Sequence, residues 1–173
     1  MNLFQVCLTG EIELVFQYVK RNSIWDWNYG LQGACQGGNV SIVEFIIKKG
    51  ASQWNFGLQG ACCGGHMHLV ELMIKKGAKH LNNGLYYASI GGHVPIIHFL
   101  IQKGADSFCD APLSTDVILT LLSDGLTRKQ LSTVHDIHTI FRDLDLLNQT
   151  IHAEIFAILP KDLVLLCTQY VCV

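Results

Sequence analysis

The 173-residue sequence predicts an all-α protein built from stacked helical repeats, and three observations carry this prediction. Residues recur every 27 positions, and residues 27–53 and 54–80 are identical at 17 of 27 positions. Lys-Gly-Ala recurs at the same step, at 49–51, 76–78 and 103–105. Half of the residues are hydrophobic and only 15% are charged, which predicts a substantial core. A fixed period in this range indicates units that bury their apolar faces by stacking on one another.

Each repeat is predicted to contain two short helices. In the repeat that starts near residue 54, a first helix from Leu58 to Cys63 should stop at the Gly-Gly pair that follows. A second helix is expected over residues 67–76, where apolar residues keep helical spacing. Gly77 then occupies the place where a helix end favours a left-handed residue. Between the two helices, His66 is expected to bond its own backbone in the turn.

The stretch 58–78 resembles an ankyrin repeat, whose motif is T-P-L-H-x-A-A-x-x-G-H-x-x-I-V-x-L-L-L-x-x-G-A. The small pair Ala61-Cys62, the turn Gly65-His66 and the pair Gly77-Ala78 match this motif in register. The family's Thr-Pro is replaced here, and the unit has 27 residues rather than about 33. The deficit falls in the β-hairpin, so truncated hairpin loops are expected. Short, Gly-rich units of this kind resemble the ankyrin proteins of large DNA viruses.

The resemblance divides the chain into a repeat region and a C-terminal part. Residues 1–105 are assigned to ankyrin repeats at about 3–23, 24–50, 51–77 and 78–105. Residues 106–126 are expected to form a degenerate repeat with its first helix clipped or lost, because Lys-Gly at 103–104 and Asp-Gly at 124–125 are only 21 residues apart. Residues 127–173 are predicted to form a divergent helical cap, which opens with the capping box of Thr127 and Gln130.

Charge, hydropathy and cysteine content weigh against several classes of protein. The net charge of −2 predicts no nucleic-acid partner. No apolar run approaches the ~18 residues of a membrane-spanning helix, so no membrane partner is expected. The N-terminus lacks the features of a secretory signal, and the seven cysteines are therefore interpreted as reduced thiols. These features predict a cytoplasmic protein, with the nucleus left open as a location.

One cluster has the residue types that a zinc site requires, namely Cys62, Cys63, His66 and His68. Two of its members occupy positions that recur with the repeat, since Cys35 precedes Cys62 by 27 residues and His93 follows His66 by the same step. Packing and turn formation explain these residues more simply than metal binding does. We therefore expect no metal, no cofactor, no catalytic residue and no enzymatic activity.

Lysines recur near the end of each repeat, at 48–49, 75–76 and 103, and would stack as a basic column. Helix termination is the simpler interpretation, because cations suit the negative end of a helix dipole. The alternative is an acidic protein partner.

The resemblance implies a non-catalytic protein–protein interaction module that binds its partner on a concave face. In ankyrin arrays this face consists of the inter-repeat loops and the outer positions of the first helices. Trp27 and Trp54 share a register and are interpreted as a hydrophobic ridge that seals the loops or as partner anchors, whereas Trp25 has no repeat counterpart. The residues predicted to bind the partner are Trp25, Asp26, Asn28, Gln36, Gln53, Asn55, Cys63, His80, Asn82 and Ile90.

The viral resemblance implies a host protein as partner, in innate-immune or ubiquitin signalling and in the host cytoplasm. An alternative is a ubiquitin-ligase adaptor, because residues 159–170 are similar to the start of an F-box and would recruit a ligase subunit. A structural interpretation competes with this one, since Leu163, Leu166 and Tyr170 form an apolar stripe that would seal the last repeat.

Overall fold

The computed structural model describes residues 2–21, 26–109, 111–127, 130–134, 137–139, 141–143, 145–146 and 149. The chain forms two compact units, Met1–His135 and Asp136–Val173. The described residues of the first unit form nine helices: α1 (Leu3–Leu8), α2 (Ile12–Arg21), α3 (Trp27–Gln36), α4 (Val40–Lys48), α5 (Trp54–Gly64), α6 (Met67–Lys76), α7 (Leu81–Ile90), α8 (Val94–Gln102) and α9 (Thr115–Ser123).

Eight of these helices form four helix–turn–helix pairs, α1/α2, α3/α4, α5/α6 and α7/α8. The first helices stack side by side in the order α1, α3, α5, α7, and each contacts the second helix of its own pair. No strand occurs among the described residues, so the prediction of an all-α array of helical repeats is confirmed. None of the helices in this part of the chain combines the length and the apolar character needed to cross a membrane.

In the repeat that starts near residue 54, the second helix has the predicted bounds and the first helix does not. The second helix α6 covers Met67–Lys76 as expected, and Gly77 is left-handed with φ of +110°. The first helix α5 begins at Trp54, however, and not at Leu58. Gly57 and Gly60 lower the intrinsic helix propensity of this segment, which conceals its true start. Both glycines are buried, and packing between repeats overrides the low propensity.

Glycines in the first helices allow the backbones of neighbouring repeats to touch. A Cβ at Gly60 of α5 would lie 2.1 Å from the carbonyl oxygen of Gln32 in α3. A Cβ at Gly33 of α3 would lie 2.2 Å from the carbonyl oxygen of Phe4 in α1. Tyr87 takes the equivalent position in α7. The α1–α3–α5 stack therefore requires glycine at these positions, whereas α7 carries a tyrosine there.

The degenerate repeat keeps its second helix, α9. Between Gln102 and Thr115 the described residues contain no helix. Phe108 is fully buried in this segment, and its backbone N–H donates to the Thr133 hydroxyl oxygen at 2.8 Å. A single buried aromatic side chain thus lies where the sequence lacks the residues for a whole first helix.

The capping box at the start of the predicted cap is formed. The Thr127 N–H donates to Gln130 Oε1 at 2.8 Å, and the Gln130 N–H donates to Thr127 Oγ1 at 3.3 Å. The α-helix expected to follow is not seen in residues 130–134, which form turns. In one of these turns the Val134 N–H donates a hydrogen bond to the Leu131 carbonyl oxygen, three residues earlier. The described residues of the second unit are helical, and residues 150–173 lie outside the described residues.

Candidate partner-binding face

Nine of the ten predicted binding residues lie on the first helices or directly before them, in three rows that repeat with the array. We refer to this surface as the first-helix face. Trp25 lies outside the described residues. The rows are Asp26, Gln53 and His80 at the N-caps of α3, α5 and α7; Asn28, Asn55 and Asn82 near the starts of these helices; and Gln36, Cys63 and Ile90 near their ends.

The N-cap row is polar and exposed, and its members differ in what they bond. Asp26 Oδ1 accepts hydrogen bonds from the backbone N–H of Asn28 at 3.1 Å and of Tyr29 at 3.3 Å. The side chains of Gln53 and His80 form no capping hydrogen bond. Gln53 and His80 therefore present polar groups that the helix ends do not use.

The asparagine row connects each repeat to the next one. Asn28 Oδ1 accepts from the backbone N–H of Ser52 and of Gln53, both at 3.1 Å. Asn55 and Asn82 repeat this pattern one and two units further along the array. The side-chain oxygens of this row thus connect the loops of successive repeats. In Asn82 the amide nitrogen is engaged as well, since Nδ2 donates to Asp106 Oδ1 at 2.9 Å.

The third row joins neighbouring repeats through histidine. His66 Nε2 lies 3.1 Å from the Gln36 carbonyl oxygen, and His93 Nε2 lies 3.0 Å from the Cys63 carbonyl oxygen. Because a carbonyl only accepts, Nε2 carries the proton in both pairs. The expectation that His66 bonds its own backbone is wrong, since its partner belongs to the preceding repeat.

A glycine makes room for each of these rings. Gly38 has a positive φ of +73°, and a Cβ there would lie 2.5 Å from the His66 ring. Gly65 stands in the same relation to His93, with φ of +79° and a distance of 2.5 Å. The Gly-His pairing of successive repeats is therefore a steric fit between units.

Buried thiols line the inner side of the stacked first helices. Burial raises the pKa of Cys7, Cys35 and Cys62 to about 12 in each case, and it raises the pKa of the half-buried Cys63 as well. A thiol with so high a pKa is a poor nucleophile and a poor metal ligand. Across the part of the chain that the structure describes, no three Cys, His or acidic side chains converge as a metal site would require.

An aromatic pair that was not among the predicted binding residues lies near the starts of α3 and α5. Tyr29 is 51% exposed, and its ring centroid lies 5.5 Å from that of Phe56 on the next first helix. The two residues share one repeat position, where the ankyrin motif carries Thr. That departure from the motif was the signal available in the sequence.

A second aromatic group lies on α7. The rings of Tyr86 and Tyr87 meet edge to face at 5.4 Å and line a surface cavity of about 390 Å³ with Asn83 and Cys109. Ile90, at the end of the same helix, is 47% exposed. The first-helix face thus carries an exposed aromatic side chain on α3 and an exposed apolar one on α7, with half-buried aromatic side chains on α5 and α7.

The chain is similar to known ankyrin repeats in two comparisons. The family model for ankyrin repeats (3 copies) matches residues 31–110. A solved structure that aligns with the chain is the crystal structure of the human ASB11 ankyrin repeat domain, at 18% sequence identity, with a TM-score of 0.49, over 74% of this chain and 71% of that chain. No curated protein sequence matches this chain.

Proposed function

We propose that this chain, whose residues 31–110 are ankyrin repeats, binds a protein partner through its first-helix face. Ankyrin repeats are modules of protein–protein interaction, and their family is a non-catalytic fold. The observation that supports this surface is the aromatic pair of the exposed Tyr29 and the half-buried Phe56. An aromatic side chain that is half exposed contributes little to the core and much to a protein interface, where Tyr is enriched among the residues that dominate affinity.

The surroundings of this pair suit a protein ligand. Gln53 and His80 offer uncommitted polar groups along one edge, and Ile90 offers apolar surface at the far end. An apolar centre with a polar rim is the usual composition of a protein interface. The partner we propose is a host protein of innate-immune signalling, in the host cytoplasm. The support for this finer assignment is the resemblance of the short, Gly-rich repeats to viral ankyrin proteins.

A double variant tests the surface. Tyr29→Ala with Phe56→Ala should lose the proteins that the parent chain captures from host-cell lysate, as read by mass spectrometry. Phe16→Ala is the matched control, because Phe16 is an aromatic side chain of α2 that is 40% exposed and whose ring packs on Phe45 of α4, a pair between second helices. The control should keep the same captured proteins, and the circular dichroism of both variants should match the parent. Identical capture by the double variant and the parent would contradict the proposal.

A ubiquitin-ligase adaptor is the second candidate, supported by the Leu-Pro pattern at 159–160 and the apolar residues after it. This segment lies outside the described residues. Deleting 159–173 separates its two interpretations. Loss of co-purifying ligase subunits from a stable array would support the adaptor, and aggregation of the truncated chain would support an apolar cap in its place.

A further inference from the structure

The outer face of the array contains a cavity that the proposed function does not use. It has a volume of about 320 Å³ and is lined by residues of α6 and of α8 with its C-cap. Its walls come from Glu71, Ile74 and Lys75 of α6, and from Phe99 and Lys103 at the end of α8. We propose that this cavity is a second binding site, and that its ligand is a peptide segment in which an apolar side chain lies between acidic ones.

The chemistry of the walls defines the two parts of such a ligand. Ile74 and Phe99 supply an apolar floor, and both are half-buried. Lys75 and Lys103 line the same cavity and are exposed, so each of the two helices contributes a cation beside this floor. An apolar side chain on the floor would be flanked by two carboxylates that meet the two ammonium groups.

The aromatic ring also holds one of the cations in place. Lys103 Nζ lies 5.4 Å from the ring centroid of Phe99, within the range of a cation–π contact. Lys49 and Lys76 make the same kind of contact with Phe45 and Trp54, at 5.4 Å and 5.3 Å. A cation that is already positioned loses less side-chain entropy when it binds an anion. In each repeat, one lysine of the basic column is thus positioned by an aromatic ring as well as by its place at a helix end.

The placement of the cations favours an extended peptide. Lys75 lies in the last turn of α6 and Lys103 is the C-cap residue of α8, so the two helices that line the cavity each contribute a cation at their C-terminal end. An extended peptide in the polyproline II conformation has three residues per turn and advances about 3.1 Å per residue, so every third side chain lies on the same side of the peptide, about 9 Å further along. Acidic residues three apart, with an apolar residue between them, therefore match the two lysines and the floor.

Carboxylates beside the lysines argue against a polyanion. Glu71 lines the cavity itself, and Glu44 holds the same position one repeat earlier, four residues before Lys48. A continuous row of phosphates would bring negative charge against these carboxylates. A peptide carries its charges at separate positions and can place an uncharged residue there.

A defined set of peptides tests this site. The probe is a fluorescein-labelled twelve-residue peptide of four Glu-Leu-Ser units, and its two controls replace every Glu by Gln or every Leu by Ser. Binding to the full chain is measured by fluorescence polarisation at about 50 mM salt, where screening is modest. The Glu-Leu-Ser peptide should bind at least tenfold more tightly than either control. Equal binding of the probe and one of its controls would overturn the proposal.

Three variants of the protein locate the binding. Lys75→Gln with Lys103→Gln should weaken binding of the probe at least tenfold. Lys20→Gln with Lys79→Gln makes the same change of charge away from the cavity and should weaken it less than twofold. Phe99→Leu keeps every charge and copies the natural Leu72 of the preceding repeat, and we expect a loss of about threefold.

Equal losses in the two lysine variants, or no loss in Phe99→Leu, would overturn the site. Tighter binding of a 20-base-pair DNA duplex or of phosphatidylserine vesicles, lost in the Lys75/Lys103 variant, would overturn the choice of a peptide. The surface is separate from Tyr29 and Phe56, so the failure of one proposal leaves the other to be judged by its own variants.

Discussion

Asn55 accepts a hydrogen bond on its side-chain oxygen from the backbone N–H of Lys79, 2.8 Å away in the loop of the following repeat. The same oxygen accepts from the N–H of His80 at 3.1 Å. A full-length ankyrin hairpin would satisfy such loop donors within its own strands. In these shortened units one asparagine per repeat performs that task, so the loop depends on its neighbour.

The first prediction concerns this bond. Asn55→Ala leaves two loop N–H donors without their acceptor, and we expect the free energy of unfolding to fall by about 1–3 kcal/mol in urea titration. Asn55→Asp keeps an acceptor oxygen and should lose less. Asn83→Ala alters an exposed asparagine of α7 and is the matched control. Equal stability of Asn55→Ala and Asn83→Ala would show that the bond contributes nothing.

A second prediction compares two helical glycines. Gly60→Ala would place a Cβ 2.1 Å from the Gln32 carbonyl oxygen, which backbone movement alone can relieve. We expect a loss of about 1–3 kcal/mol or more from this overpacking. At Gly84 the nearest atoms to a Cβ are the side-chain atoms Cys62 Sγ and Leu100 Cδ1, both at 3.3 Å.

Gly84→Ala should therefore change the stability by less than about 1 kcal/mol, because the gain in helix propensity offsets the tight contact. Thermal denaturation of the two variants measures the difference. If Gly84→Ala were the more damaging of the two, the close approach of α3 and α5 would not be the reason for glycine.

A third prediction concerns thiol reactivity. Cys109 is exposed, whereas Cys7, Cys35 and Cys62 are buried and have pKa values raised to about 12. Iodoacetamide at pH 8 should modify Cys109 in the folded protein and should reach the other three only after unfolding, since the thiolate is the reactive form. Peptide mass spectrometry assigns each site. Modification of Cys62 at the rate of Cys109 would contradict the burial.

A fourth prediction follows from the same pKa shifts. A thiol whose folded pKa is raised contributes stability that is complete below its unfolded pKa near 9 and is lost as the pH rises towards about 12. Each buried thiol should therefore steepen the fall in the free energy of unfolding by up to about 1.4 kcal/mol per pH unit in this window. Urea titrations of the parent and of Cys62→Ala from pH 7 to 10.5 measure the slopes. A parent slope no steeper than that of Cys62→Ala would contradict the shift.

The sequence by itself determined the repeat and the helical class. Identities at a step of 27 residues fix which positions are equivalent. Helical spacing within 67–76 predicts both ends of the second helix correctly. Ala61 and Cys62 are fully buried, as expected for the small-residue positions of a stacked helix. These features recur with the repeat period, and such a period can be recognised from the sequence alone.

The tertiary structure decided which atoms each repeated residue uses. His66 was expected to bond its own turn, but the ring lies over Gly38 of the previous repeat and reaches the Gln36 carbonyl. Asn28 and its equivalents were expected to face a partner, and their oxygens join the loops. Both choices depend on the distance and angle between neighbouring units, which arise only when the helices stack. A sequence period indicates that such contacts recur. The packing of the backbones determines which atoms form them.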